Sequence, residues 1–136
     1  MHELILWVRH LRSIGAFKVS TRLLLVLLMV MGLWVATSTP TNIELPSIND
    51  KIQHLLVFFA FAMLADLAIA RKPFWLWKGA PLMAYGALIE IMQFYTPDRS
   101  FEVADWGADF CGVFLYYTIK YTLCKLDAKK AQVLIK

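Results

Sequence analysis

The sequence predicts an all-α protein, an integral membrane bundle of four transmembrane helices, and three observations carry that expectation. The first is composition. Of the 136 residues 60% are hydrophobic and only 18% are charged, with a mean hydropathy of +0.58. That is too apolar for an ordinary soluble domain of this length and suits a chain solvated by lipid. The second is segmentation, because four apolar stretches are separated by short polar or proline-containing connections. The third is the placement of lysine and arginine. Residues 1–22 hold four of the 14, residues 71–78 three and residues 120–136 five, leaving Lys51 and Arg99 elsewhere. Four helices with both termini on one side put twelve basic residues on the face that the positive-inside rule makes cytoplasmic. The expected location is the inner (cytoplasmic) membrane of a bacterial cell, multi-pass, with both termini cytoplasmic. The net charge of +4 then reflects topology and gives no reason to expect nucleic-acid binding.

Each element has its own local signal. In residues 1–19, Leu4, Trp7, Val8, Leu11 and Ile14 follow helical spacing while Arg9 and Arg12 lie off that stripe. This segment is either an amphipathic helix lying in the interface or an extension of the first span. The first span covers 20–37. It is expected to be retained and not cleaved as a signal peptide, since no small-x-small site follows the apolar run. Pro40 and Pro46 mark the following loop. The second span covers 50–70 and stops at Arg71-Lys72-Pro73. The third covers 74–95, with Pro81 and Gly86 interrupting its pattern, and Thr96-Pro97-Asp98 turns the chain. The fourth covers 103–124. Residues 20–124 thus form one four-helix domain, followed by a basic cytoplasmic tail over 125–136. Cys111 and Cys124 fall on one helix, roughly 20 Å apart in rise, too far for a disulfide.

The stretch from Glu90 to Gly112 is the polar exception in this apolar chain. It holds Glu90, Gln93, Asp98, Arg99, Glu102, Asp105 and Asp109 at the junction of two apolar segments. In the expected topology His54 lies one turn below Asp50, Asp109 one turn below Asp105, and Glu90 a turn and a half below Tyr95. All three sit roughly 6 to 8 Å beneath the outer ends of their helices. Ionisable groups within a membrane are costly and face a bundle interior or a water-filled cavity, which makes them functional candidates. Asp50 and His54 are i,i+4, as are Asp105 and Asp109, so each pair shares a helix face. The N-termini of spans two and four, with Arg99 beside them, offer a grip for a phosphate or carboxylate. Glu90 must be paired, protonated or solvated. A plainer account has His54 hydrogen-bonded to Glu90 only to specify packing. Asp66 and Lys120, at similar depth near the opposite face, are expected to be structural, either as a pair or snorkelling separately.

The ordered pattern Asp50-Lys51-x-x-His54, Glu90-x-x-Gln93, Arg99, Asp105, Asp109 and Gly112 resembles the VanZ-like family of small membrane proteins. Asp109 stands where that family usually carries Asn. The resemblance implies a helical membrane protein and a link to resistance against the glycopeptide teicoplanin, without supplying a reaction. The expected function is binding of, or action on, a lipid or cell-envelope precursor at the outer leaflet. In the enzymatic form, His54 and Glu90 are the candidate acid and base. Arg99, Gln93, Asp50, Lys51, Asp105 and Asp109 are the candidate substrate-binding residues. A divalent metal is the candidate cofactor, since His plus carboxylates suits such an ion. The alternative is a non-catalytic structural or metal-stabilised membrane scaffold. The bilayer is the expected partner, with a lipid-linked envelope precursor as the candidate ligand, and the sequence leaves the oligomeric state open.

Overall fold

The computed structural model describes residues 6, 10–11, 14–38, 50–97, 99 and 101–134. Four helices dominate: α1 (Gly15–Thr37), α2 (Asp50–Ala68), α3 (Ala80–Phe94) and α4 (Val103–Leu134). No strand occurs among the described residues. By length and composition α1 and α2 are apolar and long enough to cross a membrane. α1 begins at Gly15, earlier than residue 20. Most of the expected amphipathic segment, Trp7 included, lies outside the described residues, as do 39–49 and Asp98.

Two helices differ from their sequence expectation, each for a local reason. α4 does not end at residue 124 but runs on to Leu134, taking in most of the basic tail. Leu, Ala, Lys and Gln in that stretch are good helix formers, and no Gly or Pro interrupts them. In the third segment a single π-helical turn, Trp75–Gly79, leads directly into α3. The N–H of Ala80 bonds Trp75 O across this wide turn. Pro81, which has no N–H to give, follows at the start of α3. The proline is absorbed, and the helix continues.

α2 and α4 run parallel and make the most extensive contact in the molecule. Gly112 sets their separation. A Cβ there would collide with Leu55 O and come within 2.9 Å of Phe59 N, so backbone meets backbone. With the helices this close, successive turns of α4 meet successive turns of α2, and Val113, Ala62, Phe58 and Ala65 are buried between elements. Phe61, Phe74, Leu82 and Ile89 extend that core toward α3, and Leu25 extends it toward α1. α1 lays Leu28, Met29, Leu33 and Ala36 against this core and is held further by two hydrogen bonds. Arg22 Nε donates to Ala68 O at 3.1 Å, satisfying a carbonyl at the end of α2. Tyr85 donates its hydroxyl proton to Met29 O at 2.5 Å. The rest of α1 leaves Leu23, Leu27, Val30 and Trp34 exposed.

Candidate functional site

Two polar clusters lie at opposite ends of the α2–α4 pair. At the Asp66 end, Asp66 is 1% exposed and its two oxygens are fully used. Oδ1 accepts from Lys78 Nζ at 2.6 Å. Oδ2 accepts from Lys120 Nζ at 2.7 Å and from the Tyr116 hydroxyl at 2.9 Å. The expected Asp66–Lys120 pair therefore forms, and Lys78 joins it. Lys78 is 4% exposed. Counting it among the basic residues of one face gave no hint that it points inward.

At the Asp50 end, Asp50 and Asp105 lie in the first turns of α2 and α4. Carboxylates are favoured there by the exposed N–H groups of the helix start. Lys51 bridges to Glu102 Oε2 at 2.8 Å and Asp105 Oδ1 at 3.1 Å. One turn deeper, His54 Nδ1 lies 2.8 Å from Asp109 Oδ1. Asp109, not Glu90, is thus the partner of His54, because α2 packs against α4 at this level. Gly86 makes room for that carboxylate, since a Cβ at position 86 would stand 2.5 Å from Asp109 Oδ2. Glu90 is 1% exposed and faces the connection into α4. Its Oε2 accepts the Glu102 backbone N–H at 3.0 Å.

Three buried polar atoms here have no hydrogen-bond partner among the described residues: Glu90 Oε1, Asp109 Oδ2 and Arg99 Nε. Buried orphans are rare in folded proteins, and a group of three at one end marks that end as chemically incomplete. Arg99 shares a cleft with Asp50 and His54 in the first turns of α2. Its Nη2 donates to Ser38 O at 3.4 Å, at the C-terminal end of α1, where a cation is favoured. Gln93 Nε2 reaches Ala36 O at 3.3 Å on the same helix end. Asp50, His54, Gln93 and Arg99 all line one cleft of about 820 Å³ between α1, α2 and α3. Its remaining walls are largely apolar and include Leu28, Met31, Val35, Val57 and Phe61. Asp50, His54 and Asp105 also bring one ligand atom each within 4.8 Å of one another, a group able to hold a cation.

A profile of the VanZ/LLP1 family matches residues 5–124, nearly the whole chain. The chain belongs to the VanZ/LLP1 family. No curated protein and no solved structure gives a significant match. Membership and the two long apolar helices are consistent with a membrane protein. In this VanZ/LLP1 chain all eight residues singled out from the sequence fall at the Asp50 end, in three contacts and one cleft. Lys51 and the buried Asp105 form a bridge, His54 and Asp109 a buried pair, and Glu90 braces the start of α4. Asp50, Gln93 and Arg99 share the cleft with His54. Glu102, absent from the sequence-derived set of site residues, contributes both an N–H to Glu90 and a carboxylate to Lys51. Its place immediately before α4 was the available signal.

Proposed function

We propose that this chain is a four-span protein of the cytoplasmic membrane whose cleft binds a membrane lipid or lipid-linked envelope precursor from the outer leaflet. The observation that carries the proposal is the divided lining of the cleft. Asp50, His54, Gln93 and Arg99 line it from the first turns of α2, the end of α3 and the connection after it, while Leu28, Met31, Phe58 and Phe61 line it from positions a turn or more further along α1 and α2. A lipid has the same division between headgroup and chain. The volume of 820 Å³ falls within the range of about 300–1,000 Å³ usual for ligand sites. The exposed Leu23, Leu27 and Val30 of α1 and Phe110 and Phe114 of α4 are apolar surface that a bilayer would cover. α4 is less apolar than α1, but its Asp105, Asp109 and Lys120 are each paired with α2. Paired charges facing a neighbouring helix are compatible with a spanning segment. The lysine and arginine distribution supports an orientation with the Asp50 end outside and both termini inside.

His54, held by Asp109, lines the cleft with a side chain able to take or give a proton near neutral pH. Hydrolysis at a lipid phosphate or ester would use it as the base toward a water nucleophile. Binding is the function the geometry supports best, and turnover is a further step. The test is photo-crosslinking in membranes with a phospholipid bearing a photoreactive group in its acyl chain. Label concentrated on the cleft-lining Leu28, Met31, Val57 and Phe61 supports the proposal. Label spread evenly along the exposed side of α1, over Leu23, Leu27 and Val30, refutes it.

A second reading is favoured by the Asp50, His54 and Asp105 group: a metal-stabilised scaffold. It predicts that Zn²⁺ or Mn²⁺ raises the melting temperature of detergent-solubilised protein without lipid, and that His54→Ala abolishes the rise. An equal rise in His54→Ala would place the ion elsewhere.

A further inference from the structure

The charges left over in the cleft specify a headgroup, an inference that rests on the lipid-binding reading. Most charged groups at this end are already matched: Lys51 by Glu102 and Asp105, and His54 by Asp109. Two that line the cleft are not. Asp50 is exposed and forms no hydrogen bond or ion pair among the described residues. Arg99 spends one nitrogen on a long contact to Ser38 O, while its Nε is buried without a partner. One carboxylate and one guanidinium thus face the same cleft without neutralising each other. An anionic headgroup would satisfy Arg99 and meet Asp50 unfavourably, and a purely cationic one would do the reverse.

We propose that the cleft takes a zwitterionic aminophospholipid, with Arg99 on the phosphate and Asp50 on the primary ammonium of the headgroup. A guanidinium suits phosphate through paired N–H donors, and the Nε that now lacks a partner is one of them. The carboxylate of Asp50 calls for a cation that also donates hydrogen bonds. Ethanolamine has such N–H groups, and the trimethylated ammonium of choline does not. The apolar walls add the chain, which makes the ligand a lipid and not soluble phosphoethanolamine. His54 lies one turn below Asp50 on the same face, beneath the bound headgroup.

The experiment is native mass spectrometry of the full chain released from detergent, titrated with phosphatidylethanolamine, phosphatidylcholine and phosphatidylglycerol of identical chains. Soluble phosphoethanolamine serves as competitor. Retention of phosphatidylethanolamine should exceed that of each other lipid by about tenfold, the value of one charge-assisted hydrogen bond. Asp50→Asn should remove its advantage over phosphatidylglycerol, and Arg99→Gln should weaken all three lipids. Soluble phosphoethanolamine should not compete. Equal retention of phosphatidylcholine, or a preference for phosphatidylglycerol, overturns the headgroup assignment while leaving the cleft as a lipid site. Retention of no lipid, together with scattered photolabel, overturns the lipid-binding reading itself. The wild-type ranking decides the headgroup even if a variant fails to fold.

Discussion

The two polar clusters of this bundle are built from the same pair of helices, yet one is closed and the other is not. At the Asp66 end a single carboxylate accepts from Lys78, Lys120 and Tyr116, and both oxygens are occupied. At the Asp50 end there are more ionisable groups and more hydrogen bonds, but Glu90, Asp109 and Arg99 each keep one polar atom buried without a partner. Burying charge is tolerable when the set is complete. An incomplete set beside an 820 Å³ cleft is instead what a ligand would complete. Charge alone therefore does not separate a brace from a site. Satisfaction does.

The strongest way to break the comparison is to open the closed cluster. Asp66→Ala leaves Lys78 buried with no counter-ion, and should cost roughly 3–5 kcal/mol of stability, as loss of one partner from a buried ion pair does. Thermal unfolding in detergent checks this, and a loss no larger than that of an average surface substitution would remove the structural role. Gly112→Val comes next. It forces α2 and α4 apart, at about 1–3 kcal/mol or somewhat above for overpacking against backbone. Because both clusters bridge these helices, the variant should lower stability and lipid retention together. If lipid retention is untouched, the α2–α4 spacing does not support the site. His54→Ala should be milder, about 1–3 kcal/mol for leaving Asp109 without its partner, and should reduce binding more than stability. A melting loss equal to that of Asp66→Ala would make the His54–Asp109 pair a second brace. The smallest effect belongs to Lys51→Ala. Its bridge to Glu102 is half exposed on both sides, such pairs contribute little, and its other partner, the buried Asp105, keeps the N–H groups of the first turn of α4 when Lys51 is gone. No measurable change in melting is expected, and a large one would show that Lys51 also holds α4 in place.

The same comparison shows what could be read in the chain. Helical character followed from apolar runs bounded by proline and charge. The shared depth of Asp66 and Lys120 followed from counting rise along two helices that run together, because depth is a property of sequence position, while the choice between pairing and snorkelling did not. Rotation about each helix axis is not. Spacing put Asp50 and His54 on one face, and Asp105 and Asp109 on another. It could not say which helix would meet His54, so the expected partner was Glu90, where the close approach of α2 and α4 at Gly112 brings Asp109 instead. Lys78 was hidden for a related reason. Lys78 lies within the π turn Trp75–Gly79, whose wider geometry departs from the 3.6-residue period by which faces are assigned. Arg99 lay in a connection whose path no periodicity describes. The cleft was not legible at all, since it depends on how α1 leans against α2 and α3.

The most direct test of the central claim is the phospholipid-dependent change in melting temperature for wild type, Arg99→Gln and Asp66→Asn. Lipid at about 100 times its dissociation constant should stabilise a binding protein by roughly 2.7 kcal/mol. Wild type should show that rise, Arg99→Gln should melt normally without it, and Asp66→Asn should melt early yet keep it. A wild type that does not respond, or an Arg99→Gln variant that responds in full, would contradict the assignment of the Asp50 end as the site.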